Sequence, residues 1–309
     1  MGTSWLKTFS LMIVMSALVV GTAGAIGAAT GGVVPLLVVG LALALVMNFV
    51  AYWFSDKLAL AMSGAKQVSE KDEPRLHRMV EDVAQRANLP KPKVCVIAND
   101  SANAFATGRN PRHAVVAVTT GIQRILSEQE LRGVIAHEIA HIKNRDMLTM
   151  SVVAVMAAVI TFLGSMAMWG MLLGGGRRDR DGGMAGIIGL VALLVVWLIM
   201  PLAASLVRFA ISRTREYAAD SVGARIIRDP LSLAGALEKL ESSVRARPMR
   251  AAASTEAMAH MYIVNPLPVA GPQAAHEGGS QFVSLFSTHP PIGDRVRRLR
   301  DMAMRGQTV

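Results

Sequence analysis

The string Val134-Ile-Ala-His137-Glu138-Ile-Ala-His141 carries two imidazoles four residues apart, with a carboxylate directly after the first. On a helix, positions i and i+4 share a face, so both rings can reach one metal ion. Zinc suits imidazole nitrogen, and a bound zinc ion lowers the pKa of its water to about 7. Glu138 stands beside such a site, placed to take a proton from that water. With seven His and eleven Glu in 309 residues, chance supplies this pattern only about 0.006 times.

Two histidines leave a site short of a third protein ligand. The run Arg213-Thr-Arg215-Glu216-Tyr-Ala-Ala-Asp220 offers one, because Glu216 and Asp220 again share a helix face. One of the two can bind the ion while the other accepts the free ring N–H of a ligating histidine and fixes its tautomer. Alone, Glu-x-x-x-Asp on a helix is usually a solvated face; beside the histidine string it gains weight. Structural zinc sites tend to use four protein ligands, whereas this set has three ligands and a base. That favours an enzyme over the alternative, a membrane scaffold or transport protein with a structural zinc site.

The elements that must position these residues lie in an apolar chain. Hydrophobic residues make up 52%, charged residues 17%, and mean hydropathy is +0.40, which excludes a disordered chain, collagen or a disulfide scaffold. Thr8 to Ser55, Thr149 to Gly176 and Gly182 to Val207 contain no Asp, Glu, Lys or Arg. The first stretch would reach about 72 Å as one helix, more than twice the hydrocarbon thickness. Gly31, Gly32 and Pro35 interrupt it, predicting spans from Phe9 to Ala28 and from Val33 to Phe54, with Trp5, Tyr52 and Trp53 at the interfaces. A cleaved signal peptide is the rival reading of the first span; the second apolar run, following almost at once, favours an uncleaved anchor. Thr149 to Leu173 and Met184 to Val207 form a second pair, joined by a polar link from Gly174 to Gly183.

Lys and Arg set the orientation: 14 lie between Lys57 and Arg145 and 14 between Arg208 and Arg305, against none in the first link and three in the second. Both long polar regions therefore face the cytoplasm. The three arginines of the second link leave open whether that pair crosses fully or is re-entrant. A net charge of +10 without basic runs laced by aromatics points to a surface beside anionic lipid, with no nucleic acid partner. The single Cys95, flanked by Val94, Val96 and Ile97, reads as a packed strand residue and is compatible with a reducing compartment.

Four regions follow: a transmembrane hairpin at 1–55, a first catalytic part at 56–148, a transmembrane or re-entrant hairpin at 149–207, and a second catalytic part at 208–309. Apolar spacing predicts a helix over Asp72 to Ala87, ended by Pro90 and Pro92. Lys93 to Ile97 and His113 to Val118 read as strands, the latter joined by the turn Gly-Arg-Asn-Pro-Arg to a segment around Phe105. Ser127-Glu-Gln-Glu130 is a capping box opening the histidine helix. Arg213 to Ile227 and Leu231 to Val244 read as helices, and Asn265 to Gly279 as a surface loop.

His137-Glu138-x-x-His141, followed after two apolar segments by Ser212-Arg213-x-Arg215-Glu216-Tyr217-x-Ala219-Asp220, resembles the HtpX-like membrane zinc metalloproteases, relatives of the type I CAAX prenyl proteases. Asn103-Ala-Phe-Ala-Thr-Gly108 and Thr288-His289-Pro-Pro291 with Arg295 extend the likeness over essentially the whole chain. The resemblance implies a mainly α, α+β architecture: a multi-span helical membrane protein with a zincin-like cytoplasmic metalloprotease domain, whose small sheet has an edge strand. It implies one zinc ion per chain on His137, His141 and Glu216, with Glu138 as general base and Asp220 orienting His137. Asn103, Ala104 and Phe105 would belong to the edge strand that takes a substrate backbone by strand addition. It further implies quality control of misfolded membrane proteins, often heat-induced, at the bacterial inner membrane. The chain departs from the family in a Pro- and Ala-rich insertion at 266–279.

The remaining signals are softer. His289, set before a Pro-Pro pair, could donate a hydrogen bond to a tetrahedral oxyanion. Arg295 could serve the same charge, but a structural pairing with an acid near Asp294 is the favoured reading. His77, His113, His260 and His276 lack ligand spacing and read as non-catalytic.

Overall fold

The computed structural model describes residues 3–156, 158, 213–250, 252–267 and 290–306. The second apolar pair beyond its first residues, the link around Gly183, most of the 266–279 insertion, His276 and His289 lie outside the described residues. Helices α1 (Thr3–Thr30) and α2 (Val33–Ser63) form the expected hairpin. Gly31 turns it at φ +78°, a region glycine enters without a Cβ clash, and Pro35 falls in the first turn of α2, where no intrahelical N–H is lost. The helices touch closely: a Cβ added to Gly40 would lie 2.6 Å from the Ala23 Cβ.

Among the described residues, α2 is the one helix long and apolar enough to cross a membrane. It does not stop at Phe54. It continues through Asp56 and Lys57 to Ser63 and ends at Gly64, at φ +67°. No breaker precedes Gly64, and Ala59 on the extension is fully buried against the sheet, so packing carries the helix out of its apolar stretch.

The sheet has the order β1-β2-β4-β3, with β1 (Lys66–Gln67), β2 (Lys93–Ile97), β3 (Ala104–Thr107) and β4 (Val115–Thr119). β2 and β4 are parallel, with Cys95 beside Ala117; β1 and β3 are antiparallel to their neighbours. The connection between the parallel pair contains no long helix: it is β3 itself, folded back onto β4. Helix α3 (Pro74–Arg86) covers one face with α5 (Glu128–Asn144), and α4 (Thr120–Ile125) follows β4. Cys95 is buried on the other face, and burial pushes its thiol up to about 11, which fits a packing role.

After α5 the chain turns at Arg145, φ +60°, and enters α6 (Met147–Met156 in its described part). Helices α7 (Arg213–Ile227), α8 (Pro230–Ala246), α9 (Ala253–Met258) and α10 (Ile292–Met304) complete the described structure. The two sheet faces have different neighbours. Val94, Val116, Val118, Ala104 and Ala106 join the core with α3, α5, α8 and α10. Cys95, Ile97, Phe105, Val115 and Ala117 meet Ala59 of α2, Met150 and Ala154 of α6, and Met258 to Tyr262. The sheet thus separates the histidine helix from α2 and α6.

Candidate metal centre

Helix α5 is built as its sequence indicates. Ser127 Oγ accepts from the Glu130 N–H while the Glu130 carboxylate accepts from the Ser127 N–H, satisfying two otherwise orphaned donors. The helix is buried from Val134 to Ile142. Two glycines, one on α7 and one on α5 itself, set its surroundings. A Cβ on Gly223 of α7 would lie 2.9 Å from the His137 backbone nitrogen. Glycine there lets α7 lie directly against the turn that carries His137, and so brings Glu216 and Asp220 to the site. A Cβ on Gly133 would crowd the Leu233 backbone of α8 at 3.0 Å.

Among the described residues, His137, His141 and Glu216 converge as a group able to hold a metal ion, with donor atoms within 4.8 Å of one another. The two Nε2 atoms stand 3.2 Å apart. Glu216 places Oε2 3.6 Å from His137 Nε2 and Oε1 3.6 Å from His141 Nε2. All three side chains are buried. Donors held at about 2.0–2.1 Å in a tetrahedral zinc site are separated by roughly 3.4 Å, so this spacing fits such an ion.

Asp220 stands behind His137, with Oδ1 2.9 Å from Nδ1. Arg295 of α10 grips the same carboxylate through two bonds: Nη2 donates to Oδ1 at 2.7 Å and Nε to Oδ2 at 2.8 Å. Arg295 Nη2 also lies 3.4 Å from His137 Nδ1. Both contacts cannot use Nδ1 as hydrogen-bond partner at once, and the shorter one to Asp220 assigns its proton to the carboxylate. Burial disfavours an ionised Asp220, but Arg295 outweighs it and holds the carboxyl well below the usual range. The partner of Arg295 is therefore Asp220 rather than an acid near Asp294. Arg295 is fully buried toward α7, whereas Asp294 faces outward and binds Arg297 at 2.6 Å.

Glu138 is buried beside the donor group but is not one of its members. Burial pushes its carboxyl up to about 7, with Glu216 adding to the rise and His141, Arg295 and the Ala106 N–H opposing it. Asn103, Ala104 and Phe105 are fully buried at the start of the edge strand β3. Asn103 and Ala104 bond Val264 and Ile263 of the same chain, and Phe105 packs against Tyr262.

Sequence reading missed Asp146. Its Oδ2 lies 3.6 Å from His141 Nδ1, both atoms are buried without a hydrogen-bond partner, and its Oδ1 lies 3.8 Å from Arg215 Nη1. The available signal was an acid just beyond the histidine helix, next to an uncharged segment. His77 contacts Val68 O, His113 lies beside Asn110, and buried His260 donates to Met150 O; none joins the donor group.

Residues 70–303 match the model of Peptidase family M48. The chain belongs to peptidase family M48. It is 46% identical to a protease HtpX homolog of Syntrophobacter fumaroxidans over 296 residues, 96% of this chain and 98% of the relative. Homologs with the same description from Pyrococcus furiosus (46% over 300 residues; 97% of this chain, 96% of the relative) and Persephonella marina (47% over 305 residues; 98% and 99%) are similar across their lengths. The crystal structure of S. mikatae Ste24p shares the fold at a TM-score of 0.50 and 16% identity, covering 96% of this chain and 65% of that one. This M48 chain is a membrane-bound metalloprotease, and the HtpX-like resemblance seen in its motifs extends over nearly its whole length.

Proposed function

We propose that this M48 protein binds one zinc ion through His137, His141 and Glu216 and hydrolyses peptide bonds in misfolded or damaged membrane proteins. It does so as a multi-pass protein of the bacterial inner membrane, its catalytic residues facing the cytoplasm. The supporting observation is the division of labour at the centre: three converging donors, and a fourth buried group, Glu138, left out of the set. When bound, the ion acidifies water and polarises the scissile carbonyl. Glu138 takes the proton from water and delivers it to the departing amine, a task for a carboxyl whose pKa lies near working pH. Asp220 fixes the His137 tautomer and is itself fixed by Arg295. Asp146, 3.6 Å from His141 Nδ1, would serve His141 in the same way once that gap closes to a hydrogen bond. Asn103, Ala104 and Phe105 belong to the edge that pairs with substrate backbone, and His289 donates to the developing oxyanion.

The test is digestion of unfolded casein by detergent-purified full-length protein, with and without zinc, beside Glu138→Gln. The variant should keep its metal, because the donors are untouched, and lose proteolysis by several orders of magnitude. Full activity of Glu138→Gln would remove Glu138 from the mechanism.

A further inference from the structure

The outer edge of β3 is already engaged by this chain. The Asn103 carbonyl accepts from Thr119 N–H of β4, so by strand alternation the backbone groups of Ala104 and Ala106 point away from β4. Ala104 O accepts from Ile263 N–H at 3.1 Å. Asn103 grips the next residue twice: Nδ2 donates to Val264 O at 2.7 Å, and Oδ1 accepts from Val264 N–H at 3.4 Å. Arg295 Nη1 donates to the Ile263 carbonyl at 2.9 Å, while the same guanidinium holds Asp220 and reaches within 3.9 Å of Glu216. Every backbone N–H and C=O of Ile263 and Val264 is thus bound, by Ala104, by Asn103 or by Arg295.

The segment bends from Tyr262 through Val264 as it lies against the start of β3. Residues 263 and 264 meet 104 and 103 in turn, so the pairing runs antiparallel to β3. Ile263 and Val264 both join the core shared with α5, whereas Tyr262 lies on the other face of the sheet, edge-on to Phe105 with ring centres 5.4 Å apart. A polypeptide added to this edge at Ala104 would need the carbonyl that Ile263 holds and the space that the segment fills.

We propose that Tyr262–Val264 is an autoinhibitory strap, bound against the start of β3 through Ala104 and the Asn103 side chain, which a substrate must displace before it can pair there. The proposal rests on the reading that β3 receives substrate. A substrate strand offers an N–H and a C=O for each one the strap gives up, so the hydrogen bonds exchange nearly like for like. The side chains decide the outcome. Ile263 and Val264 are buried in the core, and an incoming chain must supply comparable apolar area. Unfolded segments rich in aliphatic residues can do this, whereas folded proteins with polar surfaces cannot, so the strap selects misfolded chains.

Amide hydrogen exchange tests the proposal on full-length, zinc-loaded Glu138→Gln protein in detergent, with and without saturating unfolded casein. Peptides covering residues 258–267 should exchange about tenfold faster when casein is bound. Unchanged protection with casein bound overturns the strap and leaves the protease reading standing. Val264→Pro, in the otherwise unaltered enzyme, removes the N–H that Asn103 accepts and keeps an apolar side chain. It should lower KM for casein about fivefold at unchanged kcat, the effect of one net hydrogen bond. A KM unchanged or raised in a variant with the parent's melting temperature overturns the strap. No casein cleavage by the parent enzyme overturns the protease reading and the strap together.

Discussion

His137 and His141 sit one turn apart on α5, yet they are supported from different directions. Behind His137 stands Asp220, 2.9 Å away and clamped by two bonds from Arg295, so helices α5, α7 and α10 meet at one carboxylate. Behind His141 stands Asp146, 3.6 Å away, with Arg215 at 3.8 Å. Asp146 lies at the turn where α5 ends and α6 begins: its N–H donates to His141 O, and its own carbonyl accepts from Met150 N–H. One imidazole is fixed by packing between distant parts of the chain. The other is tied to the segment leading into the second apolar region.

Three experiments would break or sharpen this contrast. The largest effect belongs to Arg295→Met, which leaves the Asp220 carboxylate buried without its cation. Removing one partner of a buried pair costs about 3–5 kcal/mol, so chemical denaturation of the metal-free protein should show a loss of that order. A loss below 1 kcal/mol would mean that water replaces the guanidinium and the clamp is weaker than its geometry.

The second experiment compares the two supports by zinc titration of Asp220→Ala and Asp146→Ala. Loss of a carboxylate behind a ligating histidine weakens metal binding roughly 10–100-fold. Asp220→Ala should fall at the upper end and Asp146→Ala at the lower, and Asp146→Asn should restore most of the loss by keeping an acceptor. Equal effects would abolish the contrast. Failure of Asn to rescue would make Asp146 a group needed for its charge or for the turn itself.

The smallest effect concerns protons. Burial works against a charged His141, but Asp146, Glu216 and Glu138 outweigh it and raise the metal-free ring to about 9. The ring is therefore protonated at pH 7 and must lose that proton to bind metal. Zinc affinity should rise with pH and level off near 9. Calorimetry at pH 7 in buffers of different ionisation enthalpy should show about one proton released from this ring per ion. A pH-independent affinity between 6 and 8 would show that His141 is already neutral.

Much of the machinery was legible because it is local. The spacing of His137 and His141, the capping box at Ser127, the strand Lys93–Ile97 and the helix Arg213–Ile227 depend on periodicity and on groups within four residues. The uncharged stretches likewise exposed the amino-terminal hairpin, since solvent preference acts residue by residue. Packing between distant segments settled the remainder. Sequence alone left Glu216 and Asp220 interchangeable on one helix face. Only the approach of α7 at Gly223 puts Glu216 among the donors and Asp220 behind His137. Burial of α10 gives Arg295 to Asp220 and leaves Asp294 to a neighbour on its own helix. The extension of α2 past Phe54 and the seating of Ile263 and Val264 on β3 have the same origin. Each is a contact between residues far apart in the chain, chosen by buried area and by the need to pair buried polar groups, and no short window of sequence records that choice.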